Sequence, residues 1–225
     1  MDDDVLRQTP LFSGFDDEAI GALRTTMTES SLARGEVLFR EGDSGDSLYV
    51  VLEGKFKLGK TSSDGRENLL AVLGPGQMFG ELSLFDPGPR SATATAVTDG
   101  RLATLGHLAL QRWLADRPDV ARGLLFQLAH RLRRTSEVVG DLVFSDVPGR
   151  VAKALLDLST RFGRPTDDGI RVHHDLTQEE LAQLVGASRE TVNKALADFA
   201  HRGWLRLEPR SVVLVDVERL RRRSR

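Results

Sequence analysis

Short apolar runs separated by glycine fill the first hundred residues. Val37-Leu38-Phe39, Leu48-Tyr49-Val50-Val51-Leu52, Phe56-Lys57-Leu58, Leu69-Leu70-Ala71-Val72-Leu73 and Ala92 to Val97 carry the apolar and β-branched residues that favour strands. Gly42, Gly45, Gly54, Gly65, Gly74 and Gly76 punctuate them, and 13 of the 21 glycines lie in residues 1–100. Many short strands at regular spacing predict a sandwich, barrel or roll. Pro10 to Met27 predicts a short helical lead-in.

After Pro118 the period changes. Leu125, Leu128, Leu132, Thr135, Val139 and Leu142 are spaced 3, 4, 3, 4, 3, a heptad seam. A helix packed on its own domain would show a broader stripe, so the narrow seam predicts a parallel two-chain coiled coil and a homodimer. Thr135 is polar within the seam, and Ser136 flanks it. Ser145-Asp146-Val147-Pro148-Gly149 then predicts a break, because proline removes a donor and glycine loosens the chain. The expected division is a strand-rich domain over 1–117, a dimerisation helix over 118–145, a hinge over 146–149 and a second domain over 150–225.

Charge distinguishes these parts. Residues 1–147 hold 16 Lys+Arg and 22 Asp+Glu, a net of −6; residues 148–225 hold 15 and 11, a net of +4. A basic C-terminal third on an acidic body points to a polyanionic partner. The chain has no cysteine, which excludes disulfides, cysteine-held iron–sulfur clusters and thiol chemistry. No apolar run reaches membrane-span length, and the acidic Met1-Asp2-Asp3-Asp4 start is unlike a secretory leader, so a soluble cytoplasmic protein is expected.

Two segments carry chemistry. In Phe79-Gly80-Glu81-Leu82-Ser83-Leu84-Phe85-Asp86-Pro87-Gly88-Pro89-Arg90-Ser91-Ala92, Gly80 allows close backbone approach and Glu81 to Phe85 can form one helical turn with free N–H groups. Arg90 adds a forked charge suited to phosphate oxygens, Ser91 a hydroxyl, and Glu81 an acceptor for sugar hydroxyls. Together they predict a pocket for a cyclic phosphate.

The second segment starts at Asp175. Thr177 and Glu180 predict a capping box opening one helix, Gly186 a tight turn, and Ser188 the cap of a second helix. On that second helix Val192, Ala195, Leu196 and Phe199 share one face, and Arg189, Glu190, Asn193 and Lys194 the other. This is the pattern of a helix-turn-helix, followed by a two-stranded wing over Trp204–Leu207 and Val212–Val215. Arg189 suits guanine, Glu190 suits cytosine N4, and a carboxylate facing DNA argues for sequence-specific binding.

These residues resemble the cyclic-AMP receptor protein (CRP/FNR) family of bacterial transcription regulators. The resemblance covers almost the whole chain, in the order β-roll, long dimer helix, hinge, winged helix-turn-helix, and implies an α+β protein that binds double-stranded DNA. It implies cyclic AMP as allosteric effector, held by Gly80, Glu81, Leu82, Ser83, Arg90, Ser91 and Ala92, with Arg131 paired to Glu81. Glu81 would take the ribose 2′-hydroxyl, Arg90 and Ser91 the phosphate, and Thr135 with the second chain's Ser136 the adenine amino group. Ser188-Arg189-Glu190-Thr191-Val192 resembles the recognition helix of members that read TGTGA half-sites, and Thr177, Gln178, Asn193 and Lys194 complete the expected DNA set. Lys194 stands where an arginine is usual, so its base contact differs. RNA polymerase is an implied partner, although Met27-Thr28-Glu29-Ser30-Ser31 lacks the basic residues some activators present there.

Other readings are weaker. A haem sensor would leave the phosphate cassette unexplained. A phosphodiesterase around His173-His174-Asp175 would need adjacent strand side chains that point to opposite faces, and no metal is expected. A member sensing another ligand, one binding DNA constitutively, and a nucleotide-binding subunit acting on a protein partner remain as alternatives.

Overall fold

The structure is a computed structural model that describes residues 3–9, 11–12, 15–63, 65–82, 88–116 and 118–224. It divides into two units, one of residues 1–65 and 70–134, the other of residues 66–69 and 135–225.

The first unit opens with α1 (Asp3–Gln8) and α2 (Asp17–Thr26), the latter capped by Asp16, whose side chain accepts from Ala19 N at 2.8 Å. Eight strands follow: β1 (Thr28–Leu32), β2 (Val37–Phe39), β3 (Ser47–Glu53), β4 (Phe56–Thr61), β5 (Glu67–Leu73), β6 (Met78–Phe79), β7 (Thr93–Ala96) and β8 (Gly100–Gly106). They form two four-stranded sheets, β1-β8-β3-β6 and β2-β7-β4-β5. The central strands of the first sheet, β3 and β8, contribute buried residues to a core on each side. Leu48, Val50, Leu52, Ala103 and Leu105 pack with Leu6, Phe12, Ile20 and Leu23 of the helical lead-in. Val51 and Leu102 point the other way, to Phe56, Leu58, Phe79, Ala94 and Ala96. Strand side chains alternate between faces, so consecutive apolar residues serve two cores.

The five expected strands are all present. Three more were hidden from the apolar pattern: β1 is polar and exposed except at Leu32, β6 is two residues long, and β8 is interrupted by Arg101 and Thr104. The helical region also starts earlier than Pro118, at α3 (His107–Asp116), before α4 (Pro118–Phe144).

In the second unit α5 (Val147–Phe162) is capped by Asp146, whose side chain accepts from Gly149 N at 3.0 Å. The break therefore falls on Ser145 and Asp146. Val147 to Gly149, expected in the hinge, form the first turn of α5, where a proline without an N–H loses nothing. Then come β9 (Gly163–Thr166), β10 (Gly169–His173), α6 (Gln178–Val185), α7 (Arg189–His201), β11 (Leu205–Glu208), β12 (Ser211–Leu214) and α8 (Val217–Arg223). The expected wing, β11 and β12, is half of a four-stranded sheet ordered β11-β12-β10-β9. Val151, Leu155, Val172, Val192, Phe199 and Val213 form the core.

His174 is buried, and its Nδ1 accepts from Leu176 N at 3.1 Å. No group of three metal-ligating side chains occurs among the described residues, and no described helix is long and apolar enough to cross a membrane.

Candidate functional site

An open cleft lies in the first unit, walled by Phe39, Leu58 and Ala92 and by Gly80, Arg90 and Arg131. Leu82 and Ser91 complete the lining. Glu81 is only 3% exposed. Its Oε1 accepts from Arg131 Nη1, and its Oε2 is buried with no hydrogen-bond partner. Buried carboxylate oxygens are acceptors that are seldom left unpaired, so this one has unused acceptor capacity.

Arg90 is 4% exposed. Its Nη1 donates to Gly80 O at 2.9 Å and its Nη2 to Ser47 O at 3.0 Å, while Nε has no partner. The guanidinium lies over Phe39, 4.4 Å from the ring centroid, and 5.5 Å from that of Tyr49. Five donors sit on the fork and two are shown engaged, which leaves capacity for an anion. The backbone is clamped as well, through Arg90 N to Asp43 O at 2.7 Å and Gly42 N to Arg90 O at 2.9 Å.

Two glycines make room. Gly80 has φ +83°, and a Cβ there would lie 2.8 Å from Arg90 Nη1 and 3.1 Å from Ser47 O. At Gly45 a Cβ would lie 2.4 Å from Arg90 Nε. Sequence reasoning found Gly80 but treated Gly45 as punctuation. The dense Gly42-Asp43-Ser44-Gly45-Asp46 run was the available hint.

Gly80, Leu82, Arg90, Ser91, Ala92 and Arg131 line one cleft, and Glu81 pairs with Arg131 beside it. Ser83, and with it the expected helical turn to Phe85, lies outside the described residues. Thr135 and Ser136 are exposed, one helical turn beyond Arg131 on α4. Along that helix Leu125, Leu132, Val139 and Leu142 are each at least half exposed. Apolar side chains at this spacing call for a covering surface.

In the second unit the capping box is present: Thr177 Oγ1 accepts from Glu180 N at 3.1 Å, and Glu180 Oε2 accepts from Thr177 N at 2.7 Å. Gly186 adopts φ +68° in the turn. Ser188 caps α7, its Oγ accepting from Thr191 N at 3.2 Å. Val192, Ala195, Leu196 and Phe199 are buried as expected. Arg189, Glu190, Thr191 and Lys194 are exposed, with Lys194 Nζ donating to Glu190 Oε1 at 2.7 Å. Asn193 differs: it is half-buried beside Gln178, whose Oε1 accepts from Asn193 Nδ2 at 3.2 Å and from Arg189 Nη2 at 3.4 Å.

The end of α4 is tied to this motif within the same unit. Arg150 donates to Ser145 O at 2.8 Å, Val185 O at 3.1 Å and Gly186 O at 3.2 Å. Lys153 pairs with Asp141 at 2.5 Å. Arg223 Nη2 donates to Asp146 at 2.5 Å, and that bond, with the Gly149 N–H second, holds the Asp146 carboxyl below the usual range.

Residues 29–117 match the cyclic nucleotide-binding domain family, and residues 149–223 match the Crp-like helix-turn-helix domain family. The CRP-like cAMP-activated global transcriptional regulator of Mycobacterium tuberculosis (strain ATCC 25618 / H37Rv) is 55% identical over 223 residues, covering 99% of this chain and 100% of that one. The cyclic AMP receptor protein of Thermus thermophilus is 39% identical over 210 residues, 92% of this chain and 93% of its own. The structure of FixK2 from Bradyrhizobium japonicum superposes with a TM-score of 0.79 at 25% identity, covering 88% of this chain and 98% of that one. A nucleotide-pocket domain followed by a capped helix-turn-helix, with relatives this similar over nearly their whole length, places the protein: it belongs to the CRP/FNR family of transcription regulators.

Proposed function

We propose that this protein acts as a homodimer whose affinity for TGTGA-type palindromic DNA is set by cyclic AMP. The observation that carries the reading is Glu81, a buried carboxylate between the cleft residues Gly80 and Leu82, with one oxygen held by Arg131 of the cleft and the other without a hydrogen-bond partner. The pair fits a ligand carrying a sugar hydroxyl and a phosphate at adjacent positions. Glu81 accepts from the ribose 2′-hydroxyl, and Arg90 with Ser91 takes the cyclic phosphate. Thr135 and the second chain's Ser136 meet the adenine. The 55% identical relative named as cAMP-activated supports cyclic AMP over other cyclic nucleotides.

The exposed seam on α4 supports the homodimer. Adenine held by hydroxyls of both chains draws the two helices into one register and sets the recognition helices one DNA turn apart, roughly 34 Å. Ligand shifts this equilibrium only by its differential affinity for the two states. Arg189 and Glu190 read bases, Lys194 adds charge, and Thr177, Gln178, Ser188, Thr191 and Asn193 line the DNA-facing surface.

The test is affinity for a palindromic TGTGA–TCACA duplex with and without cyclic AMP at stated salt, with cyclic GMP as control. Tighter binding in cyclic AMP alone is expected. Equal affinity in all three conditions, or no preference over a scrambled duplex, refutes the reading.

A further inference from the structure

Gln178 opens α6 directly after the Thr177 cap and is exposed. Its single Oε1 accepts from two residues in the first two turns of α7, Arg189 and Asn193. One carbonyl oxygen thus ties the start of the recognition helix to the start of the helix before it. A primary amide has an acceptor end and a donor end. Exchanging the ends of both amides would preserve the bond between Gln178 and Asn193, but it would set Gln178 Nε2 against the Arg189 N–H, donor to donor. Arg189 therefore decides which way the amide pair faces, by the network rather than by observed hydrogens.

A second observation concerns Asn193. Its Oδ1 is buried with no hydrogen-bond partner. The arrangement around Gln178 is thus not the one that satisfies every polar group of the free domain, as a purely structural network would. It does hold two donors, the long Arg189 fork and the shorter Asn193 amide, on one oxygen. A free arginine samples many rotamers, and ordering it before contact lowers what binding must supply.

We infer that Gln178 is a positioning residue for sequence reading: it holds the Arg189 fork and the Asn193 amide in place at the DNA-facing surface. This rests on the reading of Arg189 as a base-contacting side chain. The competing role for Gln178 is a plain phosphate contact, which would add affinity without sequence information.

The experiment compares the full-length protein with Gln178→Leu, Gln178→Glu and Arg189→Ala, each in saturating cyclic AMP. Binding is selected from a random duplex library and then titrated against duplexes changed at single base pairs, at fixed salt. Arg189→Ala identifies the base pair that Arg189 reads. Gln178→Leu keeps the bulk and loses the acceptor, so discrimination should fall about 2- to 10-fold at that same base pair. Gln178→Glu keeps the acceptor, so discrimination should survive while affinity for all duplexes drops from the added negative charge. If Gln178→Leu weakens all duplexes equally with discrimination intact, the residue is a phosphate contact and the inference is wrong. If Arg189→Ala changes preference at no position, the base-reading assignment fails first and this inference falls with it.

Discussion

Gly45 lies so close to Arg90 that a Cβ at position 45 would stand 2.4 Å from Nε and 2.6 Å from Cζ. Real Cβ atoms are not found at such distances, so the guanidinium must move if any side chain is added. Gly45→Ala is expected to displace Arg90 from Phe39 and from the carbonyls of Gly80 and Ser47, and to weaken cyclic AMP binding by about 1.5–3 kcal/mol, as Arg90→Ala would. Calorimetry checks both. Wild-type affinity in either variant would remove Arg90 from the phosphate site.

A charge placed in the α4 seam should abolish the proposed dimer. Leu132 is 68% exposed and sits mid-seam, so Leu132→Asp would set two carboxylates face to face without disturbing either chain's own core. Sedimentation should show monomers. A variant that stays dimeric would put the interface elsewhere.

Glu190 and Lys194 form an exposed i,i+4 pair, which by itself stabilises the helix by only about 0.3–0.5 kcal/mol. Their importance should appear on DNA. Glu190→Ala should relax preference at one base pair by about 1–3 kcal/mol. Lys194→Ala should weaken binding evenly and lower the salt slope. Library selection tests the pair, and an unchanged consensus for Glu190→Ala would overturn its base-reading role.

Removing both hydroxyls, as Thr135→Val with Ser136→Ala, should leave nucleotide binding through the phosphate and reduce the enhancement of DNA affinity by cyclic AMP. Both residues are exposed, so the chain should fold normally. Full enhancement in the double variant would mean that coupling does not run through the base.

Asp146 links the start of α5 to Arg223 of α8. Its folded pKa is lowered, first by Arg223 and then by the Gly149 N–H, so the folded state holds fewer protons than the unfolded chain. Its stabilisation is present above the unfolded carboxylate pKa, about 3.9, and is lost as pH falls through the lowered folded value. Asp146→Asn keeps the shape without the charge. Thermal melts should show the variant less stable at neutral pH, with the gap closing toward pH 3. A gap independent of pH would mean that the carboxylate charge contributes nothing.

Strands with apolar alternation and glycine boundaries were legible, as were the Thr177 and Ser188 caps, because each depends on residues close in sequence. Polar β1 was not legible: Thr28-Glu29-Ser30-Ser31 pairs with β8 through its backbone, and backbone pairing leaves no side-chain pattern. The wing was read as two strands because β9 and β10 are separated from it by the helix-turn-helix. In the cleft, Glu81 with Arg131 was found through family resemblance. Gly45, Phe39 and Tyr49 were missed because their part in seating Arg90 depends on folding distant segments against one another.

Val50 and Val51 are chemically identical neighbours on β3, yet Val50 packs toward the N-terminal helices and Val51 toward Phe56 and Phe79. Phe79 is directly followed by Gly80 and Glu81, so truncation of Val51 is expected to disturb the proposed effector site, and truncation of Val50 the packing of the lead-in. Truncating each valine to alanine should therefore yield two distinguishable phenotypes from one peptide bond's separation. The Val50 lesion should be heat-sensitive with normal response to its signal, and the Val51 lesion partly deaf to that signal at permissive temperature.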